Sequence, residues 1–528
     1  MALNRRNLLK LSAATAAMSV SAPWVSRAAE PNTISLGLAA GGPAHGDPNK
    51  TTQGADNWAT EQMFEQLVRP ADGAFGVQEK DFVPTLAESF KSSDGTKTWT
   101  FKLRQGVQFH KGYGEMTSED VVHSFSRART GLNKANYLNL KDVVADGKYG
   151  VVITLTNPDP LFLGSGVFYN NSSIVSKKAD LEKGENFTFD PIGTGPYELT
   201  KFDQKSGVFV KAFDKYWGDK AKVANLSFVY MADTTARTLA LLSGNLDMIE
   251  AVRAPGWVDS MLQKDKTLQF DMTKPGSFNT LMINLTRKPW DDIRVRKALA
   301  HAMDQNILAN AMAPMGAVVA TINPPGFPAG YTMAQLPPEL RYEHSVEKSK
   351  ALLKEAGFPN GIEFEANCSQ REDYSSTMLI LQEQIRASGF NMKLNIMDHT
   401  AYHASNRKDQ NSLAMNSSSY PPIPTRIYTD YLSSAAEVKA DGKGGANYSH
   451  YGVAMPGIDD KLIKALNATS FEDYLKVCQE IELQVQRDLP ALGLSTLSYT
   501  IARNKRVNVG YEVKSGYARW RLHKATIV

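Results

Sequence analysis

Strand signals and helix signals alternate along the whole of this 528-residue chain, and that alternation restricts the fold more than any other feature. "TISLGL" reads as a first strand, Thr33–Leu38. In "TWTFKLRQGVQF" (98–109), Trp99, Phe101 and Leu103 alternate, the pattern breaks at Gln105 and Gly106, and Val107 and Phe109 resume it. That spacing predicts a half-buried strand pair with a turn. "TSEDVVHSFSRA" follows, with Thr117 placed as an N-cap, Asp120 three residues on, and then an apolar helical stripe. "TTARTLALLSGNLDMIE" (234–250) predicts a helix to about Ser243, stopped by Gly244, then a short strand near Asp247. "DIRVRKALAHAMDQNIL" (292–308) sets Val295, Leu299, Ala302 and Met303 on one face of a predicted helix. Ser345 and Gly357 bracket a further helix as N-cap and terminator. The class is mixed α/β. At this length one hydrophobic core does not suffice, so several domains are expected. There is no internal repeat, and "KADGKGGANY" (439–448) is a Gly-rich loop.

Composition enters as an exclusion. Charged residues make up 22% and the net charge is only +4, with no long run of one sign, so no nucleic-acid partner is implied. The N-terminal stretch has the pattern of an export signal over 1–28. An arginine pair in "NRRNLLK" precedes a mild apolar run, and Ser26 and Ala28 stand where small residues precede a cut. The twin arginines resemble a twin-arginine signal; an ordinary secretory signal is the alternative, and both export the mature chain. No other run of about eighteen apolar residues occurs, and no cysteine stands at the cut to carry a lipid. A product soluble outside the cytoplasm is therefore expected. Cys368 and Cys478 have two open readings, a disulfide or two buried thiols.

Candidate catalytic patterns fail one by one. His399 and His403, at i and i+4, lack the glutamate of H-E-x-x-H and an evident third ligand, and read better as part of a surface helix. "GTGPYE" (193–198) continues into Pro196 and Tyr197 and matches no phosphate-binding loop. Asp291 and Asp292 are adjacent, which suits a helix start rather than an acid/base pair. There is no G-x-S-x-G. A non-enzyme with no cofactor is the expectation.

Taken in order, the segments carry a resemblance. "FVPTLAESFKSSDGTKTWTFKLRQGVQFHKG" with "MTSEDVVHSFSRA", then "DPIGTGPYELTKF", "ADTTARTLALLSGNLDMIE", "FNTLMINLTRKPWDDIRVRKALAHAMDQ", "ALLKEAGFPNG" and "NYSHYGVAMPGIDDKLI" resemble extracellular solute-binding protein family 5. These are the dipeptide- and oligopeptide-binding proteins of bacterial ABC importers. The resemblance implies a two-lobed periplasmic binding protein that closes on its ligand like a flytrap. Lobe I would span 29–273 with an extra subdomain near 70–190 and a C-terminal return over 492–528; lobe II would span 276–491. The chain would cross the hinge at "KPGSFN" (274–279) and at 490–496. A monomer in the periplasm, handing ligand to membrane permease subunits, is what the family implies.

The resemblance also locates a departure. Peptide-binding members anchor the peptide amine with an aspartate in a W-x-G-D type segment of lobe II. Aligned by the strand "SLAMNSS", that tryptophan falls on Ser417 and that aspartate on Tyr420, and the D-P-D that follows becomes Ile423, Pro424 and Thr425, with both acids gone. A buried ammonium without its acid loses about 3–5 kcal/mol. The expected contacts are instead Asn416, Ser417, Ser418, Ser419 and Tyr420, with Arg426 and, at the carboxylate-gripping position, Arg371. Such a set suits hydroxyl-rich or anionic ligands, opine-like or sugar-phosphate-like. The alternatives are an ordinary peptide importer using another acid, such as Asp398 or one from lobe I, and a sensor or a haem- or metal-chelate binder. For Arg371 the plain alternative is a salt bridge to Glu372 or Asp373; for Arg426 it is a pair with Asp430.

Overall fold

The structure is a computed structural model that describes residues 32–51, 54–131, 134–168, 170–514 and 519–528. The export segment expected at 1–28 lies outside the described residues. Nine strands form the central sheet: β1 (Thr33–Leu38), β2 (Tyr197–Asp203), β3 (Gly207–Ala212), β4 (Asn225–Tyr230), β5 (Met248–Glu250), β6 (Gln269–Ile283), β7 (Gly316–Ala317), β8 (Leu413–Ser418) and β9 (Ala491–Arg503). Their spatial order is β8-β6-β9-β5-β1-β4-β3-β2, with β7 also on β9. Only β1 is parallel to its neighbours, β4 and β5.

A smaller antiparallel sheet orders Ala87–Ser93, Thr98–Leu103, Gly150–Leu155 and Leu140–Ala145. Trp99, Phe101 and Leu103 are fully buried on its inner face, as their alternation predicts. The second half of the expected strand pair departs from prediction. Val107 and Phe109 are buried, but they exchange backbone hydrogen bonds with Gly114 and Met116 rather than with 98–103. Gly106, at φ 78°, makes the turn, and its N–H goes to the Glu115 carboxylate. The Thr117–Asp120 capping box opens the helix Ser118–Thr130 as expected. The helix expected over 292–308 is two helices, Ile293–Ala302 and Gln305–Ala311. Met303 is extended between them, and the Asp304 carboxylate accepts the Asn306 N–H at 2.9 Å, so a local cap outcompetes helix continuation.

The apolar core divides by sequence region. One cluster joins residues from 34–248 with Ile501, Trp520 and Leu522; two others draw on 278–494, with Leu161 as an outlier; a fourth joins 231–268 with Ala502, and a small fifth packs Val258 with Met312, Met315 and Leu497 across the two regions. Arg521 ties the C-terminal segment into the first. Its guanidinium, almost fully buried, lies 3.1 Å from Glu65, and Gln62 holds the Leu522 N–H. β6 and β9 pair from Gln269/Arg503 to Met282/Ala491, with the ladder broken between Thr273 and Ser277. Gly276 sits in that break at φ 81°, and a Cβ there would lie 2.2 Å from the Leu497 carbonyl oxygen. Cys368 and Cys478 are free thiols in different clusters, and burial pushes them up to about 11 and about 12. Among the described residues, no helix is long and apolar enough to cross a membrane.

Candidate functional site

β8 places the polar stretch 416–418 against β6 beside its ladder break, with Asn416, Ser417 and Ser418 opposite Thr280, Asn279 and Phe278. Asn279 also registers with Ser495 of β9 and donates to its hydroxyl at 3.3 Å. A polar row, Ser417–Asn279–Ser495, thus crosses three strands beside the ladder break. The Asn279 amide oxygen in this row is buried.

Aromatic hydroxyls frame the stretch. The Ser417 N–H donates to the Tyr374 hydroxyl at 3.1 Å, and the Asn416 amide donates to the Tyr431 hydroxyl at 2.8 Å. The Tyr420 hydroxyl donates to Asp430 at 3.1 Å, and its ring sits 6.1 Å from that of Phe278. Burial pushes Tyr374 up to about 12, so its hydroxyl stays protonated. Ser419 is exposed, and its hydroxyl lies 3.1 Å from that of Ser277.

Charge enters from both sides. Arg371 precedes the helix Glu372–Arg386 and forks onto Asp373, with Nε to Oδ1 at 3.0 Å and Nη2 to Oδ2 at 2.6 Å. Its guanidinium also stands 5.7 Å from the Tyr374 ring. Arg253, from the loop after β5, comes within 3.6 Å of the same Asp373 oxygen and donates to Ser277 at 3.2 Å. Arg253 therefore joins Arg371–Asp373 to Ser277–Ser419. Burial would raise the Asp373 carboxyl, but Arg253 and Arg371 outweigh it and hold it below the ordinary range. A cavity of about 310 Å³ opens beside this link, with Arg371 and Asp373 on one side and Ala39, Glu250 and Arg253 on the other.

Of the expected residues only Arg371 lines this cavity; Asn416, Ser417 and Ser418 lie on β8, Tyr420 follows it, and Ser419 is linked to Arg371 through Ser277, Arg253 and Asp373. The salt bridge from Arg371 to Asp373 is present, and it sits at the cavity wall with the Arg371 side chain 46% exposed. Arg426 is elsewhere. It lines a second cavity and makes no ion pair with Asp430, whose carboxylate accepts from Tyr420 instead. Asp398 is occupied as the cap of the helix His399–Arg407, accepting from Thr400 and Ala401. The rings of His399 and His403 meet edge-on at 4.5 Å, burial pushes His403 down to about 4, and no third metal-ligating side chain joins them among the described residues. Sequence reasoning named Asp373 as a partner for Arg371 but missed Arg253, Ser277 and Asn279 as members of the network. Ser277 and Asn279 were legible in part, as alternate positions of the "KPGSFN" crossing; Arg253 carries no local signal.

The family described as bacterial extracellular solute-binding proteins, family 5 middle, matches residues 81–440. The dipeptide-binding protein of Escherichia coli K12 is 31% identical over 389 residues, covering 68% of this chain and 69% of that protein. The glutathione-binding protein GsiB of Shigella flexneri serotype 5b is 30% identical, covering 62% of this chain and 63% of its own length. Among solved structures, the binding protein MoaA of A. tumefaciens R10 in complex with mannopinic acid superposes with a TM-score of 0.78 at 28% identity, covering 94% of this chain and 99% of that one. The Helicobacter pylori protein DppA in complex with peptide STSA gives a TM-score of 0.74 at 20% identity over 94% of this chain and 98% of that one, a likeness of fold.

Proposed function

The chain belongs to the bacterial extracellular solute-binding proteins of family 5, the binding components of ABC importers, and we propose that it captures a small anionic, hydroxyl-rich organic ligand of opine-like chemistry between two lobes. Lobe I comprises 29–273 with a subdomain near 70–190 and the return 492–528; lobe II comprises 276–491. The division of the apolar core and the ladder break at 274–276 support these bounds. The ligand lies in the cavity between Arg253 and Arg371, which Ser277 links to Ser419 of the polar stretch. The mature protein works as a periplasmic monomer and presents its closed form to permease subunits.

One observation carries the ligand class. Aligned by its strand, the sequence puts Tyr420 where peptide-binding members carry the amine-anchoring aspartate, and the cavity wall offers two guanidiniums that share a single carboxylate. A ligand carboxylate exchanges with Asp373 on Arg371 or takes the remaining donors of Arg253, and its hydroxyls meet the serine row. The likeness to MoaA supports the same class. A second reading, an ordinary peptide ligand, has its own support. Asp373 and Glu250 line the cavity and offer acids to an amine, and relatives bind dipeptides and glutathione.

Calorimetry on the mature chain separates the two. Anionic sugar–amino acid conjugates are expected to bind, and free-amine dipeptides to bind at least tenfold more weakly. Tight binding of dipeptides with none of the conjugates overturns the first reading, and loss of that binding in Asp373→Asn would establish the second.

A further inference from the structure

A second cavity, of about 370 Å³, lies between segments 138–165 and 421–474 and shares no lining residue with the cavity at Arg371. Its walls are mainly apolar, and two lining leucines, Leu138 and Leu466, one from each segment, are 80% and 49% exposed. Two of its lining residues carry charge, one from each segment: Asp159 and Arg426.

The Asp159 carboxylate is held in one orientation, accepting from the Leu161 N–H at 2.8 Å and the Ser165 hydroxyl at 3.0 Å. It has no ion-pair partner among the described residues, and burial raises its pKa with no cation to oppose the rise. Arg426 likewise makes no hydrogen bond through its guanidinium among the described residues. Asp430, one turn on, feels its charge but hydrogen-bonds Tyr420. The cavity therefore offers an anion from one segment and a five-donor cation from the other, with apolar surface between them. Both side chains are half-buried, and an occupant that carries both counter-charges pairs with each of them.

We infer that this cavity is a second ligand site, for a compact apolar molecule with an ammonium group at Asp159 and a carboxylate at Arg426, of which an apolar amino acid zwitterion is the simplest. An occupant there grips segments that the lobe assignment places on different lobes. It therefore favours the arrangement that encloses the cleft ligand, and the two ligands raise each other's affinity by one factor. The site itself stands whichever ligand fills the cleft.

The test is calorimetry on the mature chain with L-phenylalanine and L-leucine, and with two phenyl compounds of single charge, 2-phenylethylamine and 3-phenylpropanoate. Phenylalanine is expected to bind at least tenfold tighter than either single-charge compound. Asp159→Asn weakens phenylalanine and phenylethylamine tenfold or more and spares phenylpropanoate; Arg426→Gln does the reverse with the two single-charge compounds. The inference is overturned if neither amino acid binds at millimolar concentration, or if both substitutions weaken all three phenyl compounds alike. A tenfold loss of phenylalanine binding in Arg371→Ala also overturns it, since the amino acid then occupies the cleft. Failure of the opine-like reading changes none of these outcomes.

Discussion

At the scale of single residues, the network around Asp373 separates ligand contact from local stability. Arg371 is half-exposed, and exposed pairs contribute about 0–1 kcal/mol, so Arg371→Ala is expected to leave thermal stability within that range. Its cleft ligand should be lost tenfold or more by calorimetry, and Arg371→Lys should restore only part, because a lysine lacks the fork. Unchanged affinity in Arg371→Ala would reduce the residue to its salt bridge. Glu482 gives a prediction in pH. It is fully buried, accepts the Asn323 N–H at 2.8 Å, and burial pushes its carboxyl up to about 7. With the folded value above the unfolded one, its favourable contribution is complete below about pH 4.5 and is lost as pH rises to about 7, a swing of about 3 kcal/mol. Glu482→Gln should gain that amount relative to the parent between pH 4.5 and 7.5, read from urea unfolding at both. An equal difference at the two pH values would show that Glu482 ionises without cost. The limits of sequence reading are plain at this scale. The polar stretch after β8 was legible because alignment by a strand fixes register, and register fixes neighbours. Arg426 escaped because its helix starts at Pro424, and nothing local says which segment that helix will pack against.

At the scale of elements, local chemistry was read well where it acts alone and poorly where it competes. The capping box at Thr117 is present, and Thr117→Ala should cost about 1 kcal/mol in chemical unfolding. The helix over 292–308 was read as continuous because its apolar stripe continues; the cap of Asp304 interrupts it. In 98–109 the alternation correctly marked which side chains are buried but not which strand they pair with, since pairing is a tertiary choice. Gly276 supplies the sharpest element-level test. Alanine there faces both a left-handed φ and the Leu497 oxygen, so Gly276→Ala should lower stability by about 2 kcal/mol or more, measured as a fall in melting temperature. A neutral result would mean that the ladder break relaxes freely.

At the scale of the whole molecule, the fold class and the order of its landmarks were legible because many weak motifs in sequence order constrain one another. The proposed division into lobes comes from the resemblance, while the packing that supports it has no motif of its own. The C-terminal segment illustrates this: Arg521 reaches back 456 residues to Glu65, a contact without a sequence signal. Arg521→Met leaves Glu61 and Glu65 buried beside each other with less counter-charge, and a loss of about 3–5 kcal/mol is expected in urea unfolding. The ladder of β6 and β9 has a mechanical consequence. It is hydrogen-bonded on both sides of residues 274–276, so the two cores are joined by a pair of strands rather than by tethers. Bending is concentrated across the unpaired step, while twisting and sliding are resisted by the ladders on either side. On the proposed division into lobes, the molecule would move like a door on one axis and not like beads on a string. Little orientational freedom would then remain to be frozen on closure, and each loaded copy would present the same shape.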